Sequence, residues 1–160
     1  MDSITLKPIG VIHRPFTDPK SMPIQPVSEN SGAGTVEVFP EFAAGLSDLE
    51  GFSHILLFYH FHRSRAFSLS VIPYLDTEPR GLFATRAPNR PNPIGLSLVR
   101  LARVEGTRLQ VENIDVLDGT PLLVIKPHVP EFVCAPGARI GWLERVAAQM
   151  RTKAADDRFN

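Results

Sequence analysis

The sequence is short of cysteine: Cys134 stands alone among 160 residues. A lone cysteine builds neither an intrachain disulfide framework nor a cysteine-based metal site, which fits a reducing cytoplasm, and Cys134 reads as a small buried apolar side chain. Long hydrophobic runs are missing as well, so no membrane span is expected. The first residues, Met1-Asp2-Ser3-Ile4, place no basic segment ahead of an apolar core, and no secretory signal is expected. Neither sign of charge is in excess: 17 Lys and Arg face 17 Asp and Glu, which argues against a strongly basic nucleic-acid binder. Strands do not alternate with helices, which excludes a doubly wound parallel sheet. With 43% hydrophobic and 21% charged residues, the chain reads as one globular domain over residues 1–150, followed by a polar C-terminal tail at 151–160.

Proline, by contrast, is plentiful. The stretch from Phe83 to Ser97 holds Pro88, Pro91 and Pro93 together with Asn89, Asn92, Arg86 and Arg90. Each proline fixes its own φ and holds the residue before it out of the helical region, so the stretch reads as an ordered, extended loop. Such a loop presents Arg86, Arg90 and Asn92 in fixed directions at low entropic cost, though a bland proline-rich bend between strands has the same composition. From Arg80 to Arg108 there are six arginines (Arg80, Arg86, Arg90, Arg100, Arg103, Arg108) and one carboxylate, Glu105. That clustering is either a local basic patch suited to RNA or a solvated strand.

Short β-rich runs recur along the chain: Ile4–Ile12, Thr35–Phe39, Ser53–Phe61, Leu69–Tyr74, Ile94–Val104, Arg108–Glu112 and Leu122–Lys126. Ser53–Phe61 is apolar on both faces and is expected at the centre of a sheet. Residues 17–31 lack periodicity and read as a long loop. A short helical turn is expected over Glu41–Leu49 and one good helix over Ala138–Met150. The fold class is therefore mainly β, a small antiparallel domain with short peripheral helices and a C-terminal helix. Gly32-Ala33-Gly34 follows a loop and opens no helix, so it is no phosphate cradle. His60 and His62 sit two apart, as a strand-borne metal pair would, but no third ligand is near in sequence and no metal is expected.

The phrase from Ala84 to Leu101, ATRAPNRPNPIGLSLVRL, resembles the signature of the YaeB/TsaA-like family, the TrmO-type S-adenosylmethionine-dependent tRNA methyltransferases. Further phrases match in the same order: Ile9-Gly10-Val11-Ile12, Gln25-Pro26, Gly51-Phe52-Ser53-His54 leading to Phe61-His62, and Leu117-Asp118-Gly119-Thr120-Pro121 leading to Ile125-Lys126-Pro127. The resemblance implies a β-barrel-like domain that forms a cytoplasmic homodimer, with S-adenosylmethionine held near the subunit interface. It assigns cofactor contacts to Pro23, Ile24, Gln25, His62, Arg63, Arg86, Leu96, Leu117, Asp118, Gly119 and Thr120. It also implies a substrate, the threonylcarbamoyl-adenosine beside the tRNA anticodon. The exocyclic nitrogen of that nucleoside is a poor nucleophile, so a base is needed, and Asp118 and His62 are the candidates. An Asp before Gly is also a common turn cap, and that alternative stands. Arg90 and Asn92 are assigned to substrate, so that Arg90→Ala is expected to weaken substrate use and spare cofactor binding.

The match departs at Val124, His128 and Val133, where the family carries an aspartate, a tyrosine and an acidic residue. These departures leave a second reading open, a cofactor-binding regulatory module without catalysis. A metalloenzyme built on His54, His60 and His62 is a third.

Overall fold

The computed structural model describes residues 3–14 and 32–146. Among the described residues there are eight strands: β1 Gly10–His13, β2 Gly32–Val38, β3 His54–His60, β4 Ser70–Val71, β5 Arg80–Gly81, β6 Ile94–Glu105, β7 Arg108–Ile114 and β8 Thr120–Pro127. Six of them close a barrel in the order β1-β2-β7-β6-β3-β8, and every pairing is antiparallel. A small antiparallel pair, β4 and β5, stands outside it.

Alternation builds the barrel. On β3, Ile55, Leu57 and Tyr59 point inward and are buried while their neighbours are half-exposed, and on β6 the inward set is Gly95, Ser97, Val99 and Leu101. With Ile12, Val36, Val38, Leu109, Val111, Ile114 and Leu122 from the other strands they fill the interior. A barrel of six strands leaves room for side chains and little else. β3, expected at the centre of a sheet, is flanked in the closed barrel by β6 and β8, as every strand is flanked by two others. Its outer face is only half-covered.

Several expectations are corrected. The first strand begins at Gly10 instead of Ile4, since Pro8 has no N–H for a ladder, and Ile4 and Leu6 are exposed. Of the run Leu69–Tyr74 only two residues pair, ahead of Pro73. The turn at 41–49 consists of two 3-10 segments, Pro40–Leu46 and Leu49–Gly51, broken at Asp48, whose φ is 66°. Their Leu46 and Leu49 join the core at one end of the barrel. The helix expected over Ala138–Met150 appears as a 3-10 turn, Gly141–Arg145, because Gly137 and Gly141 take φ of 75° and 59° and interrupt helical geometry. A short helix, Pro130–Val133, precedes it. Residues 147–150 and the tail at 151–160 lie outside the described residues. Cys134 is exposed, contrary to its apolar reading, because it follows that short helix on the surface.

Candidate ligand-binding mouth of the barrel

Antiparallel register brings one set of strand ends together. The C-terminal end of β1 meets the N-terminal ends of β2 and β8, through His13 opposite Thr35 and Ile12 opposite Thr120. Gly32 lies opposite Ile114 at the end of β7, and His60 lies opposite Ile94 at the start of β6. This mouth therefore gathers His13, Arg14, Tyr59–Arg63, Ile94–Ser97 and Asp115–Thr120. Among the described residues, the buried polar side chains Arg14, Ser97 and Thr120 all belong to it. Burying polar groups is costly, so their collection at one end marks the part of the barrel not built for packing alone. Pro23, Ile24 and Gln25 lie outside the described residues. The described residues on either side of that stretch, Arg14 and Gly32, are both at the mouth.

The turn from β7 to β8 holds four of the expected cofactor residues. Gly119 takes φ of 76°, a left-handed conformation that favours glycine, and its N–H donates to Ile12 O at 3.0 Å. Thr120 Oγ1 donates to Leu117 O at 2.8 Å, closing the turn from inside. Asp118 does not cap this turn. Its Oδ1 accepts from the Arg14 N–H at 2.8 Å and lies 3.6 Å from His13 Nδ1, tying the end of β1 to the turn. Arg14 in turn donates from Nη1 to Ala33 O at 2.8 Å. A shallow groove runs here between His13, Thr35, Gln110 and Asp118.

The proline loop forms the opposite lip. Phe61 N–H donates to Pro93 O at 2.8 Å, and Asn89 Oδ1 accepts from Ser64 Oγ at 2.9 Å and from Arg65 N–H at 3.2 Å. The loop is thus stapled to the turn bearing His62 and Arg63. Arg86 Nη2 donates to Leu96 O at 2.9 Å, on the stretch of β6 ahead of its ladder with β7, which begins at Arg100. The Leu96 side chain faces outward. Arg90 Nη2 donates to Leu82 O at 3.1 Å and Thr85 O at 3.3 Å, so Arg90 braces the 3-10 turn Leu82–Ala84 from within the chain. Asn92 is exposed.

Sequence reasoning missed the residue at the centre of the mouth. Asp115 Oδ1 accepts from Ser97 Oγ at 2.6 Å, and Tyr59 OH lies 2.9 Å from the same Oγ. With the Ser97 proton committed to the carboxylate, the Tyr59 hydroxyl is the donor to Ser97. Burial pushes the Asp115 carboxyl above its ordinary range, opposed by the Ser97 hydrogen bond and by the charges of Arg86 and Arg14. Burial and the Asp115 charge together raise Tyr59, while desolvation lowers Arg14. His62 is lowered by desolvation, then by Arg63 and His60, which favours its neutral form. The signal for Asp115 lay in the run Ile114-Asp115-Val116, where a carboxylate between apolar side chains needs a partner.

Four of the arginines in the clustered stretch are paired with carboxylates: Arg100 with Glu112 and Arg108 with Glu37 across neighbouring strands, Arg103 with Glu105 along its own strand, and Arg80 with Asp76 four residues before it. Among the described residues no three His, Cys, Asp or Glu side chains form a metal-sized cluster. Val124 lies on the outer face of β8 opposite Phe58. His128 is at the far end of the barrel, its N–H on His54 O at 3.0 Å, and exposed Val133 follows on the short helix. His128 and Val133 are therefore away from the mouth, whereas Val124 shares the outer row of Phe58 and Leu96.

A closed antiparallel barrel whose polar interior groups collect at one end is a small ligand-binding barrel. Residues 11–134 match the family described as the tRNA-methyltransferase O N-terminal domain, and the chain belongs to that family. It is 54% identical to a probable S-adenosyl-L-methionine-binding protein of Pyrococcus abyssi over 98% of this chain and 85% of that one. It is 32% identical to a human tRNA (adenine(37)-N6)-methyltransferase over 81% of this chain, spanning 31% of the human protein. The crystal structure of TrmO from Pseudomonas aeruginosa superposes with a TM-score of 0.74 at 38% identity, covering 88% of this chain and 63% of that one.

Proposed function

We propose that the mouth binds S-adenosylmethionine and that the protein transfers its methyl group to the exocyclic nitrogen of threonylcarbamoyl-adenosine beside the tRNA anticodon. The observation that carries this reading is the convergence of Arg14, Ser97 and Thr120, all buried, with the two family phrases at one end of the barrel. The residues fit the cofactor's chemistry. Arg86 offers a guanidinium to the amino-acid carboxylate, Leu96 an apolar surface to the adenine, and the Leu117–Thr120 turn a backbone free of a Cβ at Gly119. His62 and Arg63 close the site from the β3 side, with Pro23, Ile24 and Gln25 supplied by the loop between β1 and β2.

The cofactor supplies an electrophilic methyl on a sulfonium; the chain's own work is alignment, exclusion of water and removal of one proton. Asp118 is engaged with Arg14, which leaves His62, exposed and favoured in its neutral form, as the better-placed base. The substrate is held by Asn92, with Arg90 positioning the loop. A tRNA substrate supports a cytoplasmic location.

Calorimetry with S-adenosylmethionine, paired with methyl incorporation into tRNA carrying the threonylcarbamoyl modification, tests the reading. Binding with incorporation is expected. Binding without incorporation would transfer support to the regulatory module, which the naming of relatives as binding proteins favours. Absence of binding would overturn the assignment of the mouth.

A further inference from the structure

Trp142 lies past the stretch that matches the family, residues 11–134, yet it reaches back to the lip of the mouth. Its indole Nε1 donates to Ala84 O at 2.8 Å, at the foot of the proline loop. Arg80 of β5 sets its guanidinium over the same ring, with Cζ 5.7 Å from the centroid. That guanidinium is itself fixed: Asp76 Oδ2 accepts from Arg80 Nε at 2.8 Å and lies 2.7 Å from Nη2. One side chain therefore touches the turn Leu82–Ala84 on both sides, at Arg80 ahead of it and at Ala84 within it.

Two glycines bring Trp142 there. Ile140, Leu143 and Val146 carry helical spacing, yet the chain turns at Gly137 and again at Gly141, whose left-handed φ favours glycine. Ala138 N–H donates to Ala135 O at 3.1 Å across the first turn, and Leu143 N–H to Ile140 O at 3.2 Å across the second. Between His128, at the far end of the barrel, and Trp142 the chain thus runs to the base of the lip. An unbroken helix would present an apolar stripe. The broken one delivers a single aromatic ring with its polar edge on a backbone carbonyl.

The turn it meets depends on such contacts. Leu82 is buried but stands apart from the barrel's core cluster, and Phe83 is exposed. Arg90 holds the Leu82 and Thr85 carbonyls and Trp142 holds that of Ala84, while farther along Asn89 is held by Ser64 and the Arg65 N–H. Of these clasps, the one made by Trp142 comes from outside residues 11–134.

We propose that Trp142 is a positioning residue, acting through Ala84 to hold the proline loop in the arrangement that takes the cofactor. The proposal rests on the cofactor reading. Trp142 itself stays off the ligand. Linkage makes the effect reciprocal: if the clasped loop binds the cofactor better, an occupied loop holds Trp142 more firmly.

The test uses the full chain and S-adenosylhomocysteine. Trp142 is the one tryptophan of the sequence, so all indole emission comes from this contact. Saturation with S-adenosylhomocysteine is expected to lower the quenching of that emission by acrylamide. Trp142→Phe keeps a ring beside Arg80 and removes the N–H, and calorimetry is expected to show it binding S-adenosylhomocysteine about fivefold more weakly, the scale of one neutral hydrogen bond. A ligand resting directly on the ring would also lower quenching, but it would bind Trp142→Phe as tightly as the wild type. Unchanged quenching in a wild type that binds, or equal affinities of wild type and variant, would overturn the positioning role, and if Trp142→Phe does not fold, the quenching of the wild type decides. A wild type that binds no S-adenosylhomocysteine fails the cofactor reading itself, and the role falls with it.

Discussion

A buried carboxylate with a raised pKa works against the fold that holds it. For Asp115 the folded value lies above the ordinary 3.8, with burial the chief cause. Between the unfolded and folded values the native state keeps a proton that the unfolded state has released, so stability falls as pH rises through that window. Above it the cost is constant. Asp115→Asn is therefore expected to melt higher than the wild type at pH 7 and to lose that part of the acid-side slope, which thermal melts from pH 4 to 8 measure. A lower melting temperature at pH 7 would mean that Arg14 and Arg86 need the charge more than burial penalises it. Gly95 presents the opposite case, a residue where nothing can be added. A Cβ there would meet Phe61 Cζ at 2.8 Å as well as the Tyr59 ring, so Gly95→Ala forces both aromatics to move. Overpacking of this kind costs about 1–3 kcal/mol, and denaturant titration is expected to show a loss in that range.

At the scale of elements, the proline loop and the turn after β3 behave as one piece, stapled through Asn89 and braced through Arg90. The division of labour expected for Arg90→Ala does not follow from this geometry. Removing the brace takes one donor from the Leu82 carbonyl, which keeps those of Thr85, and the Arg90 contact from the Thr85 carbonyl, and so loosens the turn from which Arg86 departs. Arg90→Ala is expected to weaken cofactor binding and RNA methylation together. Asn92→Ala, altering an exposed side chain, is expected to raise the KM for tRNA alone; steady-state kinetics with each ligand varied separates the two. Period-two alternation made β3, β6 and β7 legible in the sequence, because inward and outward residues there differ in polarity or bulk. The C-terminal helix was misread because its apolar spacing is real while Gly137 and Gly141 adopt left-handed φ, which no periodicity reports. The phrases at the mouth were legible as motifs. Ser97, Tyr59 and Asp115 were not, because partners separated by 38 and 18 residues meet only once strand register is known.

Across the whole molecule, polarity is distributed in an unusual way: the inside is polar at one end, and part of the outside is apolar. Ile94, Leu96 and Leu98 on β6 and Val124 on β8 are each 39–40% exposed, and Phe58 and Leu56 of β3 lie between these strands. Over the seven residues of β3, three strands about 4.8 Å apart present only about 300 Å², well short of the roughly 800 Å² a stable partner interface takes from each side. A second copy docked on this face would therefore have to extend over an adjoining surface. The proline loop runs directly into β6 at Ile94, which makes the mouth's own lip the nearest candidate. Leu96 belongs to both surfaces, as the apolar residue proposed to meet the cofactor and as part of the exposed face. A homodimer of the kind the family resemblance implies would bury the β3-β6-β8 face and bring each mouth to its edge. Leu98→Glu places a charge at the centre of that face, two residues from Leu96 and on the same side of β6. Sedimentation is expected to give a dimer for the wild type and a monomer for Leu98→Glu, the variant still unfolding cooperatively because the side chain is outside the core, but without the concentration dependence of melting that a dimer shows. A monomeric wild type would remove the dimer, and a dimeric variant would move the interface to another face of the barrel.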